Sequence, residues 1–127
     1  SQANKAKQAE GKQYTSSINK TQQAYYTENG KFTESWEELG VGIRTETAMY
    51  KYVIRVTERA AFSFAIPKNP AVKAYIGGVV LVSPLEGGDF TPQAVVCEAE
   101  TAGQYILQTP KILANEFICG GGTKGLR

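Results

Sequence analysis

The most definite chemistry in this chain belongs to its two cysteines, Cys97 and Cys119. An even count in a small chain allows a disulfide. Closing a loop of this length stabilises the fold by about 3 kcal/mol if the bond is unstrained. The other reading is a pair of reduced, buried thiols. The segment between the two is loop-rich and poor in core residues, so it gains most from a covalent tie. The disulfide is the favoured reading.

Carboxylates come next. Glu98 and Glu100 share a face near a strand end, and Glu37 and Glu38 are adjacent on a helical turn. Glycosidase-type catalysis needs two carboxyls facing across a cleft, one with a raised pKa. Nothing in the sequence buries either pair, and all four read as solvated. The chain has no histidine, which removes Ser-His-Asp and Cys-His nucleophiles and His-based zinc, copper and iron sites. Asp89 is the single aspartate, and two thiols do not make a four-thiolate metal site. The expectation is no enzyme, no cofactor and no metal.

Seven tyrosines, Tyr14, Tyr25, Tyr26, Tyr50, Tyr52, Tyr75 and Tyr105, lie among lysines and arginines. That mixture suits stacking on single-stranded DNA. Core-edge packing with a wet hydroxyl explains the same residues more simply, and DNA stays a weak possibility. Asn19-Lys20-Thr21 matches the N-glycosylation triplet but falls inside a helical stretch. Gly120-Gly121-Gly122 lacks the strand and lysine of a phosphate loop, so residues 120–127 read as a flexible tail.

These residues must be positioned by one domain. The chain has 127 residues, 42% hydrophobic and 20% charged, with a net charge of +2, which fits a globular fold with a real core. A bilayer crossing needs about 20 apolar residues, and the longest uncharged stretch, 74–85, is shorter and broken by Gly and Pro.

Residues 1–29 read as one long helix with a stripe of Ala3, Ala6, Ala9/Glu10, Tyr14, Ser17/Ile18, Thr21 and Ala24/Tyr25. Its first half is only alanine. Asn29 or Gly30 suits a left-handed C-cap. The chain opens at Ser1 inside this helical pattern, as the remainder of a longer helix would.

Residues 30–49 form a connector, in which Thr33 or Ser35 caps a short turn at Trp36-Glu37-Glu38-Leu39. Four strands follow within 50–99: 50–57, 61–66, 74–83 and 90–99. The first two make a hairpin whose inner face is aromatic, with Phe62, Phe64 and Ile66 together. The third, nearly all apolar, reads as central. Residues 100–127 read as irregular. The fold class is α+β: a long N-terminal helix on a four-stranded antiparallel sheet.

The residues also resemble a known family. Ser1-Gln2-Ala3-Asn4-Lys5-Ala6-Lys7-Gln8-Ala9-Glu10 is similar to the segment that follows the membrane-spanning part of cyanobacterial type IV pilins. Ala24-Tyr25-Tyr26-Thr27-Glu28-Asn29-Gly30-Lys31-Phe32 resembles their helix end and loop start, and Tyr75-Ile76-Gly77-Gly78-Val79 and Val95-Val96-Cys97-Glu98-Ala99 their late strands.

The resemblance implies a pilin head, residues 1–127, with Cys97 and Cys119 bounding a D-region at 97–119. It implies self-association into a helical surface filament for adhesion, twitching motility or DNA uptake, with separate assembly proteins as partners. Contact with the inner membrane would come only through an apolar helix upstream of Ser1. Ala3, Ala6, Ala9 and Tyr14 become the candidate filament-packing positions. A minor pilin or a type II secretion pseudopilin is the alternative, and an unrelated small secreted binding module stands behind both. For the cysteines, intact-mass measurement with and without reductant should differ by two hydrogens; identical masses would refute the bond.

Overall fold

The computed structural model describes residues 1–40, 42, 44–83, 87–103 and 107–126. Tyr105, and residues 84–86 of the turn expected after the third strand, lie outside the described residues. Helix α1 spans Gln2–Asn29 and ends where Gly30 takes a left-handed conformation, φ 69°, as a glycine C-cap does at little steric cost. Helix α2, Trp36–Leu39, is capped by Ser35, whose hydroxyl accepts from Glu38 N.

Among the described residues seven strands follow: β1 Tyr50–Val56, β2 Ala60–Pro67, β3 Tyr75–Val82, β4 Thr91–Ala99, β5 Lys111–Leu113, β6 Glu116–Ile118 and β7 Thr123–Leu126. Five form one sheet in the order β1-β2-β3-β4-β7, with every pair antiparallel. β3 is central and buried along its whole length, as an all-apolar strand covered on both faces should be.

The second half of the chain departs from the expected layout. The sheet has five strands rather than four, because Thr123–Leu126 pairs with Val96–Ala99. Residues 120–127 are therefore not a flexible tail up to Leu126. The stretch 100–127 is not wholly irregular either: β5 and β6 make a small hairpin over the outer side of the sheet. Thr123–Leu126, with Lys and Gly at its centre, carries little β signal of its own, and pairing with the edge of β4 decides its conformation.

The inner face also differs. Antiparallel partners share a face, and the register places Tyr50, Tyr52 and Ile54 beside Ala65, Ser63, Tyr75 and Gly77. That is the face α1 covers. Phe62 and Phe64 point to the other side, where Phe62 packs with Phe117 of β6. The inner face is aromatic through Tyr50, Tyr52 and Tyr75 rather than through Phe62 and Phe64, because strand β2 meets the helix with Ser63 and Ala65 where the approach is closest. On the outer side Phe117 lies against Gly78, where a Cβ would sit 2.9 Å from its ring.

The free edge of β1 is closed by local contacts. Tyr52 N donates to Thr45 O at 2.8 Å, and Thr47 N donates to Tyr50 O at 2.8 Å. Val56 N donates to the Glu34 carboxylate at 2.9 Å. At the opposite side, Pro92 lies in the half of β4 that β7 leaves unpaired, and proline blunts an open edge by offering no N–H.

A Cβ at Gly77 would lie 2.6 Å from Ser63 Oγ, 2.9 Å from Asn19 Oδ1 and 2.9 Å from the Thr15 carbonyl oxygen of α1. Gly77→Ala is therefore expected to lower stability by about 1–3 kcal/mol, the usual range for overpacking a tight core. The urea midpoint reads this out. An unchanged midpoint would mean that α1 stands farther from the sheet than described.

Candidate assembly surface

α1 buries an unusual face. Its fully buried residues are Gly11, Thr15, Ile18, Asn19 and Gln22, of which only Ile18 is a large apolar side chain. Buried polar groups persist where each finds a partner. Asn19 Nδ2 donates to Val95 O at 2.9 Å. Gln22 Nε2 donates to Thr33 O at 2.6 Å, and its Oε1 accepts from Thr33 N at 3.2 Å. Thr15 Oγ1 donates to Gly11 O at 2.9 Å. Gly11 leaves room for the rings of Tyr50 and Tyr75, since a Cβ there would meet Tyr50 at 2.7 Å.

The first half of α1 is held by hydroxyls. Tyr52 donates to Glu10 Oε2 at 2.6 Å, and Thr47 donates to the same oxygen at 2.7 Å. Gln8 Oε1 accepts from Lys73 N at 3.1 Å. Tyr75 donates to Glu98 Oε2 at 2.7 Å, and Tyr50 to Lys73 O at 2.8 Å. These tyrosine hydroxyls are engaged rather than wet, and Glu98 is not solvated. Its side chain is 14% exposed and also faces Lys73 and Lys124, each at 3.7 Å. Glu37, Glu38 and Glu100 are exposed.

The residues expected at an assembly face separate into two groups. Tyr14 is half-buried and stacks on Tyr52 with ring centroids 5.1 Å apart, so in this domain it serves the fold. Ala3 and Ala6 are exposed and Ala9 is half-buried. Around a 3.6-residue turn, Ala6 and Ala9 line up with Gln13, Ser17, Lys20 and Ala24 on the side away from the sheet. All but Ala9 in that row are exposed. The expected single stripe thus mixed two faces. Alanine marked the outer one, and hydrogen-bonded Thr, Asn and Gln marked the inner one. Asn19 of the glycosylation triplet is 5% exposed and committed to Val95, which closes that reading.

Cys97 and Cys119 are bonded, with Cα atoms 5.7 Å apart. Cys97 pairs across β4 and β7 with Gly125, so the bond ties the hairpin and the last strand to the sheet. Among the described residues no group of three or more His, Cys, Asp and Glu could hold a metal. Among the same residues no helix is long and apolar enough to cross a membrane.

A comparison with protein families agrees with this architecture. The family described as Type IV pilin-like G and H matches residues 8–120, nearly all of the helix and sheet. The chain belongs to the type IV pilin-like family. It is a structural subunit of pilus or pseudopilus type, in a family of structural, non-enzymatic proteins. No curated protein and no solved structure matches it significantly. The matched span stops before β7, so the fifth strand of this pilin-like sheet lies beyond it.

The tyrosine clamp has a pH signature. Burial, then the neighbouring Glu10 carboxylate, raises the Tyr52 hydroxyl well above the ordinary tyrosine value of 10.0. Burial and Glu98 do the same at Tyr75, and burial, Glu10 and Glu98 at Tyr50. A raised folded-state pKa means the unfolded chain ionises first as pH rises. The contribution is therefore complete below about pH 10, the unfolded tyrosine value, and is lost above it. Denaturation midpoints should hold level up to that pH and fall beyond it, with these three phenols ionising only as the fold is lost. Ionisation of all the tyrosines in a still-folded protein would contradict the clamp.

Proposed function

We propose that this protein is a subunit of a surface type IV pilus, with the outer side of α1 turned toward neighbouring helices in the fibre. The supporting observation is that side of α1. Over a 28-residue helix, the face away from the sheet carries Ala6, Ala9, Ser17 and Ala24, and small residues let a second helix backbone approach closely. Burying one methyl yields only about 0.8 kcal/mol, so this face alone does not drive association. An apolar continuation of the helix, held in the inner membrane before assembly, supplies the rest. The sheet and the disulfide-bounded region then face outward, where adhesion, motility or DNA uptake would act. Cyanobacterial origin and a major-pilin role belong to this proposal, as does engagement by a pilus assembly machinery.

The test uses cells making the complete gene product. Ala6→Glu with Ser17→Glu should reduce sheared fibres strongly while moving the stability of the folded head by less than about 0.5 kcal/mol, as exposed substitutions do. Normal fibres, or an unfolded head, would refute the role given to this face. Abundance separates the alternatives: a major pilin dominates the fibre, whereas a minor pilin or pseudopilin appears in traces or not at all.

A further inference from the structure

Among the described residues, the lysines in the first half of α1 take part in no ion pair. Lys5 and Lys12 are exposed and Lys7 half-buried, and the one carboxylate among them, Glu10, is occupied by Tyr52 and Thr47. The far end carries the opposite sign: Glu28 in the last turn of α1, and Glu34, Glu37 and Glu38 at α2, against Lys31. Between the two helices lies a groove of about 200 Å³ lined by Thr21, Ala24, Tyr25, Glu28, Glu38 and Leu39.

Hydrogen bonds from Thr33 and Tyr25 hold the Glu38 carboxyl below its ordinary value, so it is ionised at neutral pH. Glu28 sits beside the C-terminal carbonyls of α1, where the helix dipole disfavours a carboxylate. Among the described residues neither glutamate takes part in an ion pair.

We propose that this groove receives Lys12 of a second copy. The inference rests on the filament reading above and adds a specific charge contact between neighbouring heads. A lysine suits the lining, because its stem can lie along Ala24, Tyr25 and Leu39 while the ammonium reaches the carboxylates. The helical geometry fits a repeating contact. Lys12 and Glu28 are 16 positions apart, which is about 24 Å along the axis and about 160° around it. Two parallel copies displaced sideways and along the axis, with little rotation between them, touch through opposite sides, so one copy offers Lys12 as the next offers its groove. Each copy can donate and receive at once, and such a heterologous contact propagates without closing.

The test is charge reversal in the complete gene product, assayed as sheared fibres. Lys12→Glu and Glu28→Lys should each cut fibre yield by about tenfold or more, the effect of opposing like charges across an interface. The double variant Lys12→Glu with Glu28→Lys should restore most of the yield. Melting of the isolated heads should not fall, since both side chains are exposed and a lysine at position 28 suits the end of the helix better than a carboxylate. Normal fibres from both single variants overturn this contact and leave the filament reading standing; no fibres from the unaltered protein overturn the filament reading itself. Normal fibres from both variants that are lost on removing calcium would assign the groove to a cation and also overturn the contact.

Discussion

Around Gly77, helix and sheet approach so closely that a single added carbon would collide with the Thr15 carbonyl on one side and Ser63 on the other. Much of the fold follows from this contact. It requires small residues on the helix-facing side of the central strands, met by Gly77, Ser63 and Ala65. It sends Phe62 and Phe64 to the outer side, where a second cover is then needed. The β5–β6 hairpin supplies that cover through Phe117, which fills the space over Gly78. The disulfide holds the covering segment in place.

Close approach also explains the polar inner face of α1. A helix so near a sheet has little room for long apolar side chains, and shorter polar ones reach main-chain groups directly. Asn19 and Gln22 each bond the backbone of another segment, Val95 and Thr33. Hydrogen bonds give direction that apolar burial lacks, so these two residues fix how α1 lies on the sheet as well as holding it there. Ser63 Oγ, buried without a hydrogen-bond partner among the described residues, marks the tightest point. An unsatisfied hydroxyl in a dry core costs about 1–3 kcal/mol, a local sacrifice to the same proximity.

The role proposed for α1 would use what this packing leaves over. With one side of α1 locked to the domain by Gly11, Thr15, Asn19 and Gln22, the opposite side stays free along its length. A rigid helix with one face free is well suited to a fibre, because the domain carries the helix without competing for that face. The hydroxyl clamp at Glu10 extends the lock toward the start of α1, so more of the helix belongs to the rigid body than its alanine content suggests.

Much of this protein was legible in its residues. The long helix and its glycine end, the capped turn at Ser35, the central strand and the resemblance to pilins follow from spacing, composition and a few quoted runs, because helix periodicity and glycine conformations are local properties. The disulfide was readable as the favoured pairing. Three features were not. The fifth strand, Thr123–Leu126, has no strand pattern of its own and exists because β4 offers an edge. The inner face of α1 could not be read from hydrophobicity, since Thr15, Asn19 and Gln22 are buried through partners distant in sequence. The carboxylate of Glu98 read as solvated although Tyr75 reaches it, and nothing in the sequence tied Glu10 to Tyr52. In each case the deciding energy comes from groups far apart along the chain, and only the tertiary structure brings them together.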